Sequence, residues 1–176
     1  LGQLQAVPGG RETYPMVGGP SIFSLGDRKT PIYIVGYEKV GGPWSLKTGR
    51  NVQAPGEVVV DYALARKHGL AVDGEMELLG KRFRVVGLSS GTSAIFFSYV
   101  FVGLEDAKAL LGGTDQASTP SSLFFVELAS GAEVARARQA VKEALPGVSV
   151  FTPKELAEKD AAMIGRVMGS VIGLLV

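Results

Sequence analysis

Residues 164–176, IGRVMGSVIGLLV, constrain the fold most, because a helix with this sequence is apolar on every side after Arg166. Gly165, Gly169 and Gly173 recur every four residues. In water, three glycines inside a helix would cost about 2–3 kcal/mol relative to alanine, whereas in lipid this spacing lets a second helix approach closely. We therefore predict the start of a transmembrane helix, with the glycines packing against another helix and Arg166 anchored at the headgroups. The alternative is a glycine-notched core helix of a soluble domain.

The segment before this run predicts where the helix begins. Thr152 is a candidate N-cap, Pro153 takes the first helical position, and Glu155 completes a Thr-x-x-Glu capping box. The apolar run is shorter than the roughly 20 residues that span a bilayer. We therefore expect an exit helix over residues 153–176 that continues in the parent chain beyond Val176.

Composition excludes several classes of site and partner. The 176 residues include no cysteine, which excludes disulfides and zinc–thiolate sites. The formal net charge is +1 and no block of like charge is present, so a nucleic-acid partner is not expected. With 46% apolar and 20% charged residues, the chain is expected to fold around one core or two small ones.

The first third of the chain predicts strands between irregular connections. Residues 1–20 are rich in glycine and proline and predict an irregular lead-in. Residues 21–25 and 31–40 predict strands, because they are rich in β-branched and aromatic residues. Residues 41–56 predict a long connection in which Trp44 is a packing anchor, with a binding platform as the alternative.

The middle of the chain has the most regular pattern. Residues 57–60 predict a strand, followed by a short helix with Asp61 as its N-cap and Gly69 just beyond its end. The segment MELLGKRFRVVGL predicts a hairpin that turns at Gly80–Lys81. The segments AIFFSYVFV and LEDAKALLGG then predict a strand and a short helix that ends at Gly112.

The last third predicts a β-α-β unit. The segment SLFFVELA predicts a buried strand, and Ser130 is a candidate N-cap for the next helix. The apolar face of that helix consists of Val134, Ala137, Val141 and Leu145. Pro146–Gly147 end the helix, and VSVF predicts a returning strand. Together with the strand-rich middle, this unit predicts an α+β fold with two lobes.

Candidate catalytic and ligand-binding residues are few, and we predict no catalytic, cofactor-binding or metal site. His68 is the only histidine; we expect it exposed at a helix end, with a Ser-His-Asp triad including Asp61 as the alternative. The segment GEMELLGKR departs from a nucleotide-binding P-loop in its spacing and in Arg82, which favours a hairpin turn. Glu105–Asp106 suits a helix start better than a metal site.

Two further segments have binding as an alternative interpretation. The segment SSGTS, residues 89–93, predicts a polar loop, with phosphate binding as the alternative. The aromatic residues Phe96, Phe97, Tyr99 and Phe101 are predicted to divide between the core and one exposed face. If that face is apolar, it offers a surface to lipid or to a partner protein.

The stretch GRNVQAPGEVVVDYALARKHGLAVDGEMELLGKRFRVVGL resembles the extracytoplasmic domain of MacB/FtsX-type ABC transporter permeases. Two later segments are also similar to this family, YVFVGLEDAKALLG and TPKELAEKDAAMIGRVMGSVIGLLV. The latter is most similar to the DevC-like members. The resemblance covers residues 20–176. At Val72–Gly74 this chain has Val-Asp-Gly, where family members often have Val-Gly-Asp, which changes a turn.

The resemblance implies a two-lobed α+β domain between the first two membrane helices of a permease. Residues 1–50 and 119–152 would form a membrane-proximal lobe, residues 51–118 an inserted strand-rich lobe, and residues 153–176 the exit helix. It also implies a non-catalytic domain on the extracytoplasmic, or periplasmic, side of the cell (inner) membrane.

The implied function is export, or control of a partner protein, driven by ATP hydrolysis in the cytoplasm. The implied partners are a cytoplasmic ABC ATPase that binds the ATP, a second permease copy and, in some members, a periplasmic adaptor protein. Two alternatives remain. One is a soluble hydrolase-like enzyme built around His68, and the other is a membrane-tethered module that binds lipid or peptide without an ATPase.

Overall fold

A computed structural model describes residues 7–92, 97–112, 123–130 and 133–152, together with 154, 155 and 158. In this part of the chain, eight strands form one sheet, and three helices have defined bounds. The elements in chain order are β1 (Gly10–Leu25), β2 (Arg28–Tyr37), β3 (Leu46–Gly49), β4 (Glu57–Asp61), α1 (Tyr62–His68), β5 (Glu75–Leu78), β6 (Lys81–Ser89), β7 (Ser98–Gly103), α2 (Leu104–Leu111), β8 (Leu123–Leu128) and α3 (Val134–Ala144). The expectation of a mixed fold of strands and helices is confirmed.

The chain divides into two compact units. One unit consists of Leu1–Glu12 and Glu127–Val176, and the other of Thr13–Val126. The second unit contains both short helices, α1 and α2. The division into a lobe of residues 1–50 and 119–152 and an inserted lobe of residues 51–118 stays a prediction.

The sheet is mixed, with the strand order β3-β6-β4-β7-β2-β1-β8 and β5 paired to β6. Two neighbouring pairs are parallel, β2 with β7 and β4 with β6. The pairs β1 with β2, β4 with β7, β3 with β6 and β5 with β6 are antiparallel. Because side chains alternate along each strand, the central strands present one set of residues to each face of the sheet.

One face of the sheet, the helix face, is covered by α1 and α2. Its central residues are almost fully buried; they are Ile32, Ile34, Val58, Val60, Val100 and Val102. Leu64 of α1 and Leu104 and Ala107 of α2 complete this core. Near-continuous apolar strands of this kind are typical of a sheet buried on both faces.

The boundaries of α1 agree with the sequence prediction. The Asp61 side chain accepts hydrogen bonds from the N–H groups of Ala63 and Leu64, which confirms it as the N-cap. Gly69 ends the helix with φ of 69°, a left-handed conformation that glycine adopts readily. The expected hairpin is also present, although its two turn residues are Leu79 and Gly80, one position earlier than predicted.

The expectation of an irregular segment over residues 1–20 is wrong from Gly10 onward, because β1 begins there. The glycines provide packing space. A Cβ on Gly18 would lie 2.7 Å from the Tyr33 ring, and one on Gly19 would lie 3.2 Å from the Leu111 side chain. The strand therefore uses residues that are usually read as turn formers to let larger neighbours approach.

Two predictions near α3 are wrong. The helix begins at Val134 and its N-cap is Glu133, without a side-chain cap, so Ser130 lies too far upstream. An N-cap must directly precede the first helical residue, and Gly131 after Ser130 is a poor helix former. Of the predicted apolar face, Ala137 and Val141 are buried, Leu145 is half buried and Val134 is 49% exposed. The strand before the helix, β8, was predicted to be buried and is only half buried.

The returning strand predicted at VSVF, residues 148–151, is not formed. Val148 and Phe151 are exposed by 43% and 37%, and the segment is not part of the described sheet. A β-branched segment forms a strand only where a neighbouring strand provides hydrogen-bond partners. The strand preference of these residues was therefore not sufficient to form a strand here. The β-α-β unit is therefore not completed here.

The capping box before the exit helix is confirmed. The Thr152 N–H donates to Oε2 of Glu155 over 2.7 Å, and the Glu155 N–H donates to Oγ1 of Thr152 over 3.2 Å. Arg138 of α3 also donates to Glu155 over 2.6 Å. The Thr152 N–H first, and then Arg138, lower the pKa of Glu155 to about 2.

Most of the predicted exit helix lies outside the described residues, as do Gly165, Arg166, Gly169 and Gly173. Their roles in membrane-helix packing and anchoring therefore stay predictions. Within the described part of the chain, no helix has both the length and the apolarity needed to cross a bilayer.

Candidate functional site

The sheet face opposite α1 and α2 carries a cluster of aromatic side chains, here called the aromatic cluster. Its members are Tyr33 and Tyr37 of β2, Phe97, Tyr99 and Phe101 at β7, and Trp44 of the connection before β3. Strands β2 and β7 are parallel, with Tyr33 opposite Tyr99 and Val35 opposite Phe101. The odd-numbered residues of both strands therefore lie on one face.

The rings of this cluster form a continuous series of contacts. The Tyr33 and Phe97 centroids are 5.5 Å apart, and those of Phe97 and Tyr99 are 5.3 Å apart. Tyr99 stacks on Phe101 at 6.0 Å, and Trp44 meets Tyr99 edge-on at 6.2 Å. Most of these pairs are edge-on or tilted, the arrangements that the charge distribution of aromatic rings favours.

Exposure increases along the cluster from one end to the other. Phe101 and Tyr37 are buried, Tyr33, Phe97 and Tyr99 are half buried, and Trp44 is 66% exposed. Trp44 therefore packs against Tyr99, as expected of a packing anchor, although most of its side chain is exposed. A half-buried aromatic surface of this kind can bind apolar or amphipathic groups without any covalent chemistry.

The sequence identified only part of this surface. As predicted, the aromatic residues divide between core and surface: Phe101 is buried, whereas Phe97 and Tyr99 are half exposed. Their rings contact one another in series. Phe96 lies outside the described residues. Tyr33 and Tyr37 were not predicted to belong to this surface. Their spacing of four in PIYIVGY, which puts both on the same face of a strand, is the signal that could have identified them.

A buried polar network lies beside α1 and includes two residues of the segment SSGTS, which was predicted to be a polar loop. Thr92 donates to Oδ2 of Asp61 over 2.9 Å, and the hydroxyls of Ser89 and Thr92 are 2.5 Å apart. All three side chains are at most 2% exposed. Because these hydroxyls are already bonded within the protein, the loop is a structural link to the start of α1. Ser93 lies outside the described residues.

His68 is buried, so the prediction of an exposed histidine is wrong. Its side chain is 7% exposed, its Nε2 is 2.8 Å from Oγ1 of Thr30, and its ring meets Phe23 edge-on at 4.9 Å. Burial lowers the pKa of His68, and the positive charges of Lys67 and Arg28 lower it further. The helix end packs against β1 and β2, which removes the imidazole from water.

The arrangement around α1 does not support the triad alternative. Asp61 lies at the start of α1 and His68 at its end, which puts them about 10 Å apart along a seven-residue helix. Each has other partners, Thr92 for Asp61 and Thr30 for His68. The geometry therefore offers no link between these two side chains.

The acidic pair at the start of α2 has structural partners. Asp106 accepts a hydrogen bond from the Gly56 N–H over 2.9 Å, and Glu105 forms an ion pair with Lys108 at 2.8 Å. In the residues that the structure describes, no three His, Cys, Asp or Glu side chains come together in a group suited to a metal ion.

The residues before β4 are held by a carboxylate clamp. Arg50 donates to both carboxylate oxygens of Glu57, and the N–H groups of Gln53 and Ala54 donate to Oε2 over 2.9 and 3.1 Å. Arg50 is the main cause that lowers the pKa of Glu57 to about 2. The clamp closes the connection between β3 and β4 and fixes its path.

The sequence of this clamp, of α1 and of the β5–β6 hairpin is also the stretch that resembles transporter permeases. The family model of the MacB-like periplasmic core domain matches residues 2–144. The chain belongs to this family. The recognition made from the sequence is therefore confirmed. Among curated protein sequences, none matches this MacB-like domain.

Solved structures agree with this assignment at the level of the fold. The periplasmic region of MacB from Actinobacillus actinomycetemcomitans superposes with a TM-score of 0.59 at 15% identity, covering 81% of this chain and 69% of that one. The extracellular domain of the noncanonical ABC-type transporter YknZ from Gram-positive bacteria gives 0.60 at 14% identity, covering 81% and 80%. A domain of a putative permease protein from Porphyromonas gingivalis gives 0.52 at 16% identity, covering 81% and 67%.

Proposed function

We propose that this MacB-like domain is the non-catalytic extracytoplasmic part of an ABC transporter permease in the cell (inner) membrane. There it couples cytoplasmic ATP hydrolysis to export or to a partner protein. The observation that carries the proposal is the family match over residues 2–144. The likeness in fold to periplasmic and extracellular regions of MacB and YknZ supports it.

The internal bonding of the domain suits a mechanical role. A domain that transmits motion must resist deformation, and two hydrogen-bonded arrangements stiffen its middle. The Arg50–Glu57 clamp fixes the path into β4, and Asp61 links the start of α1 to Thr92. Bonds to charged groups are among the stronger hydrogen bonds in proteins. We infer that the segment from Arg50 to Thr92 moves as one body.

The remaining parts of the proposal concern residues and partners beyond the described structure. ATP would bind to a separate ATPase subunit or domain, so that this domain needs no cofactor of its own. A second permease copy, and in some systems a periplasmic adaptor protein, would complete the assembly. Gly165, Gly169 and Gly173 would pack the exit helix in the membrane, with Arg166 at the headgroups.

Isolation of the full-length parent protein in detergent tests this function. We expect it to fractionate with membranes and to co-purify with a subunit that hydrolyses ATP. A control preparation from cells in which that subunit carries an inactive nucleotide site should retain the complex and lose the hydrolysis. Recovery of the parent as a soluble monomer, or as a membrane protein without any ATPase, would contradict the proposal.

A second candidate function is a membrane-tethered module that binds lipid or peptide without an ATPase. The half-exposed aromatic cluster favours it, because Tyr33, Phe97 and Tyr99 form an apolar surface in contact with solvent. The same purification separates the two candidates. A parent that stays in the membrane, binds no ATPase and retains an amphiphile would support the second.

A further inference from the structure

The hairpin that joins β1 and β2 ends in exposed apolar side chains. Leu25 lies opposite Arg28, so Gly26 and Asp27 form a two-residue turn. Ile22 is 60% exposed and Leu25 is 49% exposed. Because Ile22 and Leu25 are three positions apart in β1, their side chains lie on opposite faces of the strand. Single exposed apolar residues are ordinary on protein surfaces, but here the end of one hairpin carries an exposed apolar side chain on each of its faces.

The same end of the molecule carries an excess of positive charge. Arg28 and Lys29 follow the turn and are exposed. Arg28 donates to the carbonyl oxygen of Lys67 over 3.1 Å, which brings the last turn of α1, with Arg66 and Lys67, to the hairpin. Within the turn, Arg28–Lys29 and the last turn of α1, Asp27 is the one carboxylate, which leaves a formal net charge of +3 on these residues.

The β5–β6 hairpin is a natural comparison, because it also exposes a leucine. Leu79 at its turn is 56% exposed, and Lys81 and Arg82 follow it. Here the charges are balanced. Arg82 lies opposite Glu77, and Arg84 lies opposite Glu75 and forms an ion pair with Asp73. Lys81, Arg82 and Arg84 are thus matched by Asp73, Glu75 and Glu77, and the net charge is zero.

We propose that the end of the β1–β2 hairpin docks on an anionic lipid surface. Ile22 and Leu25 enter the headgroup layer, while Arg28, Lys29, Arg66 and Lys67 face the lipid phosphates. Apolar side chains beside several cations match an anionic membrane surface in both polarity and charge. The long apolar stems of lysine and arginine also allow their charges to reach the headgroups. The neutral β5–β6 hairpin lacks the match in charge.

This inference is independent of the ATPase partner in the proposed function, since it concerns only the domain and the lipid. The test must separate the hairpin from the apolar residues 164–176, which are expected to enter any bilayer. Because the chain has no cysteine, a single cysteine gives a local probe. We choose Ser24→Cys, exposed beside the β1–β2 turn. The matched control is Glu77→Cys on the β5–β6 hairpin, combined with Arg82→Gln at the position opposite it so that this hairpin stays neutral.

Each variant of the 176-residue chain carries an environment-sensitive fluorophore and is mixed with vesicles that contain lipid-attached quenchers. With phosphatidylglycerol vesicles, we expect quenching at position 24 and little at position 77. With phosphatidylcholine vesicles, or in high salt, the quenching at position 24 should be lost because the phosphate charge is absent or screened.

Charge variants provide the quantitative arm. In the chain labelled at position 24, Lys29→Gln with Arg66→Gln should lower the ratio of docked to undocked hairpin about 10–30-fold. The reason is that each cation near an anionic surface contributes roughly fivefold to this ratio. Lys81→Gln with Arg82→Gln, the matched pair on the other hairpin, should leave this ratio unchanged. Circular dichroism confirms that both double variants are folded.

Three results would overturn the inference. They are equal quenching with both lipids, quenching that is stronger at position 77, and insensitivity to the Lys29 and Arg66 changes. A hairpin that lipid does not quench, but that photocrosslinks to a protein in native membranes, would replace the lipid surface by a protein partner. None of these results would alter the ATPase test of the proposed function.

Discussion

At the scale of single residues, two buried polar side chains hold the ends of α1. Asp61 binds the first N–H groups of the helix and the hydroxyl of Thr92. His68 lies under the last turn, bonded through Nε2 to Thr30, while its Nδ1 has no hydrogen-bond partner in the described structure. Burial of a polar group is favourable only when it is bonded. The two residues should therefore respond differently to pH and to substitution.

His68 should make stability depend on pH. Its pKa is lowered in the folded state by burial and by Lys67 and Arg28, whereas in the unfolded chain it is about 6.5. Just below pH 6.5 the unfolded chain therefore binds more protons, and stability falls as pH decreases, by up to about 1.4 kcal/mol per pH unit. Urea unfolding between pH 5 and 8 measures this slope.

The matched variant is His68→Gln, which keeps a polar group near Thr30 but does not titrate. We expect it to lose most of the slope between pH 5 and 6.5 and to retain the rest of the profile. Glu57 and Glu155, whose pKa values are held at about 2, do not titrate in this range. An identical slope in the two proteins would show that His68 is not the group responsible.

Removal of the Asp61 carboxylate should destabilise the domain. Asp61→Ala leaves two helix N–H groups and the Thr92 hydroxyl without their acceptor. We expect a loss of about 2–4 kcal/mol in the free energy of unfolding, from the cap and the buried hydrogen bond together. Thr92→Val removes only the second contact and should cost about 1–2 kcal/mol. Equal effects of the two changes would contradict the role assigned to the cap.

At the scale of elements, the packing of α2 on the sheet depends on glycine. A Cβ on Gly36 of β2 would overlap the Cβ of Ala107, and it would lie 3.4 Å from Cα of Leu104. Gly36→Ala should therefore destabilise by about 2–3 kcal/mol through overpacking. Gly19→Ala is the control: its neighbour is the flexible end of Leu111 at 3.2 Å, so it should cost less than about 1 kcal/mol. Thermal unfolding of both variants measures the difference, and similar losses would contradict close packing at Gly36.

The β5–β6 turn offers a stabilising change. Leu79 has φ of 50° and Gly80 has φ of 81°, so both turn residues are left-handed. For leucine this conformation costs about 1–2 kcal/mol, and asparagine before glycine is the preferred pair in such turns. Leu79→Asn should raise the free energy of unfolding by about 1 kcal/mol. Leu79→Val, which is β-branched, should lower it, and the reverse order would contradict the turn geometry.

The elements show what the sequence can predict in this protein. The cap at Asp61, the glycine at Gly69 and the β5–β6 hairpin are local arrangements, and their residues were sufficient to predict them. The strand at Gly10–Pro20 and the exposed segment VSVF were predicted wrongly, because each depends on which neighbour the chain provides. The candidate surface was found only in part, since the pairing of β2 with β7 that places Tyr33 beside Tyr99 joins distant parts of the chain.

At the scale of the whole molecule, the chain is a MacB-like periplasmic core domain built on a mixed sheet. One face of that sheet is covered by α1 and α2, and the other carries the aromatic cluster. We propose that the domain lies on the outer side of a membrane and transmits motion there. The proposals on transport, on partners and on lipid contact all depend on the side of the membrane on which the domain lies.

Labelling in intact cells tests that claim most directly. The full-length parent, with its other cysteines removed, carries either Ser149→Cys, at an exposed position, or Ser89→Cys, at a fully buried one. A membrane-impermeant maleimide should label position 149 in intact cells, and position 89 only after denaturation. Labelling of position 149 that requires permeabilised cells would place the domain in the cytoplasm and contradict the account.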